Sequence, residues 1–357
     1  QPNVLPGGNE VEKWDYSKKF KILLIGVDIK SEKHIFVDGL VLLIVDPGNN
    51  QVGMININPD IVVSKSSGEE VSLRRGIIDG DKMDVIGLTE ELIATQIDRY
   101  IFLDRVYFEK MSEYTNTIRI ENPSDVNDSD VTSINSSSMW GKGLHTIGSG
   151  QVIDYLKSDN NGEDEQLQRQ LNLYSRYTQS IDPLKLVLGT SKIIKIISEN
   201  IQTNLTRNEI YYLYYYLRSV PPASYSSAFT KSDILSEVGT AGVYNVYRIN
   251  EAQLDYTTNS ILEDKQTVLE QTTVEVLNAS GQSGEARRFA RWIGNAGMEV
   301  IHVGNAPFGS ENSLIYTPNP LSTKKLRDIF GEQVKFIDEE YEYRHIGKVV
   351  VIIGAEK

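Results

Sequence analysis

Two short apolar runs, "KILLIGV" (21–27) and "LVLLIV" (40–45), open the patterned part of the chain. Neither alternates with polar residues, so both are predicted to be strands covered on two faces rather than half-solvated ones. "GMININP" follows after the turn-rich "DPGNNQ" and reads as a third strand. From Thr89, "LTEELIATQIDRYIFLD" has acids in a first turn and apolar residues at helical spacing, then a strand from Tyr100 to Leu103. A second helix is predicted in "DRVYFEKMSEY". Further on, "QLQRQLNLYSRYTQSI" and "SKIIKIISENI" are amphipathic, with Leu167, Leu171 and Tyr174 on one face of the former. "TRNEIYYLYYYLRSV" has Thr206 and Glu209 at capping-box spacing, and its tyrosines 211, 212, 214, 215 and 216 are read as packing and partner-facing residues rather than a ligand platform.

The polar stretches between these elements divide the chain. Residues 1–19, rich in Pro, Gly and charge, read as a linker or tail. "NPSDVNDSDVTSINSSS" (122–138) is too polar to bury and reads as a loop. Residues 20–250 are expected to form one α/β domain. Residues 251–272 read as a polar connector, and 273–357 as a smaller α/β domain: "TVEVLNAS" strand, "SGEARRFARWIGNAG" helix capped by Gly297, "MEVIHVGNA" strand, then "SLIYTP", "LSTKKLRDIFG", "VKFIDEE" and "KVVVIIG".

Composition then removes several functions. The formal net charge is -13, which disfavours nucleic acid as a partner, since phosphates demand a basic face. There is no cysteine, so thiolate catalysis and thiolate metal sites are excluded. The longest apolar runs fall far below the ~18–20 residues that span a bilayer, and a membrane tether is expected outside these residues. No Gx4GK[ST], HExxH, GxSxG or EF-hand loop is present. The four histidines, at 34, 145, 302 and 345, are isolated and read as packing or surface residues. The glycines of "NASGQSGEARR" read as a tight strand–helix turn in preference to an anion site built from backbone amides.

What remains is "GVDIKSEKHIFVDGLVLLIVD" (26–46), where Asp28 and Asp38 stand at the edges of the two apolar runs. By residue type alone this is either a metal or phosphate site or a strand–loop–strand with solvated acids. If a site, both acids are expected at the C-terminal ends of adjacent strands, where open α/β sheets gather ligands.

Taken in order, the segments resemble the LytR-CpsA-Psr (LCP) family over residues 20 to 250: "ILLIGVD", "VDGLVLLIVDP", "GLTEELIATQIDRYIFLD", "TIGSGQVIDYLKS", "GEDEQLQRQL" and "TNLTRNEI". The stretch "VEVLNASGQSGEARRFARWIGNAGMEVIHVGNA" is similar to the LytR C-terminal domain. The resemblance implies an α/β fold with a central mixed sheet flanked by helices, and a cell-envelope protein at the extracellular face of the membrane, acting on glycopolymers carried by polyprenyl pyrophosphate and destined for peptidoglycan. It also implies a magnesium ion held by Asp28 and Asp38, with Arg169 as a third catalytic residue and Lys30, Lys157, Gln166 and Asp60 on the substrate.

Several of the arginines that the family places around the diphosphate are replaced: Lys30, Phe36, Pro59, Lys157 and Gln166 stand there instead, and Glu163 replaces an aspartate. A charge-assisted contact is worth roughly 1.5–3 kcal/mol, so these losses point to a weakly active or non-catalytic member that binds a carrier-linked glycopolymer, a glycan or a protein partner. The alternative is an active phosphotransferase. Arg74 and Arg75 read as solvated surface residues in preference to cations supplied to the site from a neighbouring loop, and an apolar groove for the carrier is expected along "SKIIKIISENI" or "TRNEIYYLYYYLRSV".

Overall fold

The computed structural model describes residues 14–31, 34–64, 69–77, 83–104, 106–111, 114–122, 140–148, 151–152, 155, 172–173, 176–177, 180, 192, 195–196, 199, 201–229, 232–241, 244–316, 320–331 and 334–355. The chain divides into two compact units, Gln1–Leu88 with Ile97–Asn250, and Thr89–Gln96 with Glu251–Lys357.

In the first unit the apolar runs become β1 (Phe20–Ser31) and β2 (His34–Asp46), a long antiparallel pair with Phe20 opposite Val45 and Ser31 opposite His34. β3 (Gln51–Ile57) runs antiparallel to β2. A short pair, β4 (Val62–Ser64) and β5 (Glu70–Ser72), follows, and then β6 (Arg99–Asp104), parallel to β1. β7 (Ile118–Asn122) and β8 (Gly143–Ile147) form a separate pair. β9 (Ile201–Thr203) lies antiparallel to β6, and β10 (Tyr225–Phe229) parallel to β3. The six-stranded mixed sheet therefore runs β10-β3-β2-β1-β6-β9, and β11 (Leu235–Ala241) pairs with β12 (Tyr244–Ile249) beside it in sequence.

Unbroken apolarity in β1 and β2 has the predicted cause. Because successive side chains point to opposite faces, Ile22, Val41, Leu43, Val45 and Met54 gather on one face with Leu205, Leu213 and Val220. Leu23, Ile25, Leu40, Leu42 and Ile44, of the other parity, are buried as well. The helix Arg207–Ser219 opens with the expected capping box: Thr206 accepts from the Glu209 N–H and Glu209 from the Thr206 N–H.

Three sequence readings change. Trp14, placed in a tail, is buried and stacks on Phe20 with ring centroids 4.0 Å apart, while Tyr16 stacks on Tyr212 at 4.4 Å. Aromatic burial outweighs the local polarity of that segment. The helix expected from Thr89 spans Met83–Ile93, because Val85, Ile86 and Leu88 extend its buried face backward and Thr89 is itself buried. Residues 251–272 hold helices at Glu251–Leu262 and Lys265–Leu269: Leu254, Thr258, Ile261 and Leu262 make a narrow buried stripe on an otherwise polar helix, and Asp264 caps the second.

In the second unit β13 (Thr273–Asn278), β14 (Glu299–Asn305), β15 (Leu314–Tyr316), β16 (Lys335–Ile337) and β17 (Val349–Ile353) form a sheet ordered β14-β13-β17-β15-β16. Helices Glu285–Asn295 and Pro320–Phe330 contribute Ile293 and Leu326 to a core with Val274, Val276, Ile315 and Val351. Gly297 ends the first of these at φ +97, a conformation open to glycine at little cost.

Candidate functional site

The β1–β2 ladder breaks where the candidate acids stand. Gly26 faces Gly39, but the next pair is Val27 with Val37, so β2 carries one residue more than β1 and that residue is Asp38. This is a β-bulge, a device that re-aims a side chain at the cost of one unpaired position. Asp28 lies directly opposite Phe36, two residues from Asp38 along the partner strand. The register therefore brings Asp28 and Asp38 to one end of one strand pair. One detail differs from expectation: β2 is antiparallel, so Asp38 stands near its N-terminal end rather than its C-terminal end. The strand that runs parallel to β1 there is β6, which puts Asp104 opposite Val27.

The side chains of Asp28, Lys30, Phe36 and Asp38 lie outside the described set, as do Lys157, Glu163, Gln166 and Arg169 altogether. Asp60 is described, and its carboxylate is held by Arg74: Nε to Oδ1 at 2.5 Å and Nη2 to Oδ2 at 2.9 Å. The pair is largely buried, with side-chain exposures of 12% for Arg74 and 16% for Asp60. The Arg74 guanidinium also donates through Nη1 to the Val37 carbonyl at 3.2 Å. The Asp60 N–H donates to Asn58 Oδ1 at 2.8 Å, and the Arg74 N–H to the Pro59 carbonyl at 2.6 Å.

Arg74 is thus not the solvated arginine its sequence context suggested, whereas Arg75 is exposed. A pair 14 residues apart, with one member in a turn and the other in the short 3-10 turn Leu73–Arg75, follows no helical or strand period. Only the coincidence of an acid beside Pro59 and an arginine pair before Gly76 hinted at it.

Elsewhere the readings meet ordinary packing. On the inward side of helix Arg207–Ser219, Leu213, Tyr212, Tyr216 and Leu217 pack against the sheet. Tyr216 donates to the Asp46 carbonyl at 3.0 Å; burial and the nearby Asp46 carboxylate push its hydroxyl well above the usual tyrosine range. Tyr211 and Tyr215 are exposed. In "NASGQSG", Asn278 Oδ1 accepts from the Ser280 N–H and hydroxyl and its amide donates to the Gln282 carbonyl, which makes a closed turn. "SKIIKIISENI" and residues 122–138 lie largely outside the described residues. Among the described residues no group of three His, Cys, Asp or Glu side chains gathers to hold a metal, and no helix is long and apolar enough to cross a membrane.

A profile described as the LytR_cpsA_psr family matches residues 5–263. The chain belongs to that family. A second profile, LytR cell envelope-related transcriptional attenuator, matches residues 271–356. The family is one of the cell envelope, and glycopolymer handling in the cell wall is its field of action. Biofilm regulatory protein A of Streptococcus mutans is 24% identical over 204 residues, which is 53% of this chain and 50% of that protein, so the match spans about half the length of this curated relative.

Among solved structures, B. subtilis TagV is similar with a TM-score of 0.53 and 19% identity, covering 69% of this chain and 96% of TagV. TagT bound to LI-WTA gives a TM-score of 0.54 at 17% identity over 70% of this chain and 92% of TagT. Lin1025 from Listeria innocua gives 0.52 at 20% identity, over 68% of this chain and 97% of Lin1025. These similarities show the fold, a mixed α/β sheet flanked by helices.

Proposed function

We propose that this protein binds a glycopolymer linked to polyprenyl pyrophosphate, or a wall glycan or protein partner, at the extracellular face of the membrane, with little or no phosphotransfer. The observation that carries the reading is the neutralisation of Arg74. The replaced arginines could be made good only by cations from elsewhere, and the described arginine that touches the bulge already has both carboxylate oxygens of Asp60 on its guanidinium. TagT's complex with LI-WTA supports the ligand class.

Two carboxylates from one strand-pair end are the hard oxygen donors that magnesium takes, so Asp28 and Asp38 fit that ion by donor chemistry and register. Bound there, magnesium would neutralise the two carboxylates and polarise a pyrophosphate oxygen. Lys30, Lys157 and Arg169 are left to hold the diphosphate charge, with Gln166 as a neutral hydrogen-bonding partner. Lysine restores charge without the bidentate fork of arginine.

Retention of Asp28, Asp38 and Arg169 favours the second reading, an active phosphotransferase. In that reaction a wall hydroxyl attacks the sugar-bearing phosphorus and gives up its proton to solvent, the bond to the carrier phosphate breaks, and polyprenyl phosphate leaves with the electron pair. The test is incubation of the full chain with a polyprenyl-pyrophosphate glycan and magnesium. Saturable binding with turnover far below ~1 per second is expected. Turnover above that rate, abolished by Asp38→Ala, would establish the second reading instead.

A further inference from the structure

We infer that Arg74, clamped by Asp60, is a positioning residue that sets the geometry of the bulge carrying Asp38; its consequence for a divalent cation rests on the binding reading above. The extra residue in β2 leaves one position of the ladder unpaired, so the peptide beside it is held less by the strand pair alone. There the Val37 carbonyl accepts from a side chain, Arg74 Nη1, at 3.2 Å. That carbonyl belongs to the peptide unit that also contains the Asp38 nitrogen. Fixing it therefore fixes the start of Asp38 itself.

A hydrogen bond from a floppy cation would not do this, and Arg74 is not floppy. Its planar guanidinium is locked by two parallel bonds to Asp60, at 2.5 and 2.9 Å. Asp60 is held in turn: its N–H donates to Asn58 Oδ1, and its carbonyl accepts from the Tyr247 N–H at 3.0 Å. The Arg74 backbone is tied to Pro59 and the neighbouring Leu73 N–H to the Ile61 carbonyl at 2.9 Å. A chain of fixed atoms thus runs from β12 and the 58–61 turn, through Asp60 and Arg74, to the peptide before Asp38. The role acts through the backbone and asks nothing of Arg74's net charge, which Asp60 cancels.

The test compares amide hydrogen exchange and Mn²⁺ binding in the full chain for the native sequence, Arg74→Gln, Arg74→Lys and Asp60→Asn. Arg74→Gln is expected to speed exchange at Asp38 and Gly39 by about tenfold or more relative to Leu42 and Ile44 of the same strand. Mn²⁺ affinity should fall by a similar factor, and Arg74→Lys, which keeps one donor but not the fork, should lie between. A uniform rise along β2 would mean a merely structural ion pair and would overturn the inference, as would no change at the bulge. Should the native protein take up no Mn²⁺, the metal reading fails by itself, and local exchange at the bulge still decides the positioning role. If Arg74→Gln does not fold, the same comparison is read from Arg74→Lys.

Discussion

Arg99 of β6 and Glu209 of helix Arg207–Ser219 form an ion pair with Nη2 2.8 Å from Oε1, and their side chains are only 5% and 2% exposed. The same carboxylate completes the capping box by accepting from the Thr206 N–H at 2.7 Å. One glutamate thus joins the central sheet to the start of the helix that covers it. Burial pushes its carboxyl up, but the hydrogen bonds from Arg99 and Thr206 and the charge of Arg99 outweigh that and hold it below the usual glutamate value.

Glu209→Gln should therefore destabilise the first unit by about 3–5 kcal/mol, since it removes the carboxylate charge from a buried ion pair. The sign of the pH dependence follows from the lowered value. Stability contributed by the ionised carboxylate is complete above the unfolded glutamate value, about 4.3, and is lost as pH falls through the lower folded value. Urea unfolding should show the full difference between native and variant at pH 7 and a shrinking one below about pH 4.

Trp14 makes a second testable contact. It stacks on Phe20, meets Tyr212 edge-on at 4.9 Å, and donates its indole N–H to the Lys18 carbonyl at 3.0 Å. Trp14→Ala should cost about 3 kcal/mol, as large aromatic truncations in cores do. An unfolding midpoint unchanged by this substitution would return the segment to the status of a tail.

Arg291 supports the second unit from helix Glu285–Asn295. It binds Asp255 through Nε and Nη2 at 2.8 and 2.9 Å and donates to the Leu92 carbonyl at 2.8 Å, while Asn295 donates to the Ile93 carbonyl at 2.8 Å. Asp255→Ala should lower the stability of this unit by about 2 kcal/mol, the scale of a lost charge-assisted hydrogen bond. Thermal unfolding followed at Trp292 measures it.

The elements legible in the sequence are those whose hydrophobic period is long and unmixed. β1, β2 and β17 carry unbroken apolar runs because both of their faces are buried, and the Thr206–Glu209 spacing announces its own cap. The helix Glu251–Leu262 was hidden because Thr258 occupies the middle of its buried stripe, so only Leu254, Ile261 and Leu262 betray the period. Asp28 and Asp38 could be singled out by their place at strand ends, but not the bulge, which depends on pairing across two strands. The Asp60–Arg74 clamp left only a faint mark for a related reason: turns carry no period, and their contacts are set by the strands that bring them together.

Restoring cations should restore affinity for an anionic ligand, with an asymmetry set by the clamp. Phe36 stands opposite Asp28 in the ladder, so Phe36→Arg introduces a guanidinium at the end of the strand pair that holds both candidate metal ligands. Pro59 precedes Asp60, whose carboxylate Arg74 already occupies, so an arginine at 59 finds that partner taken and its charge left available. Each new charge-assisted contact to phosphate is worth roughly 1.5–3 kcal/mol, or about tenfold or more in affinity. The double variant Phe36→Arg with Pro59→Arg should accordingly bind polyprenyl pyrophosphate about a hundredfold more tightly, and the gain should shrink as salt is raised. Calorimetric titration at two ionic strengths checks both statements. Equal affinity of variant and native chain would show that the diphosphate does not lie against this end of the strand pair, and that the replaced arginines are not what limits binding.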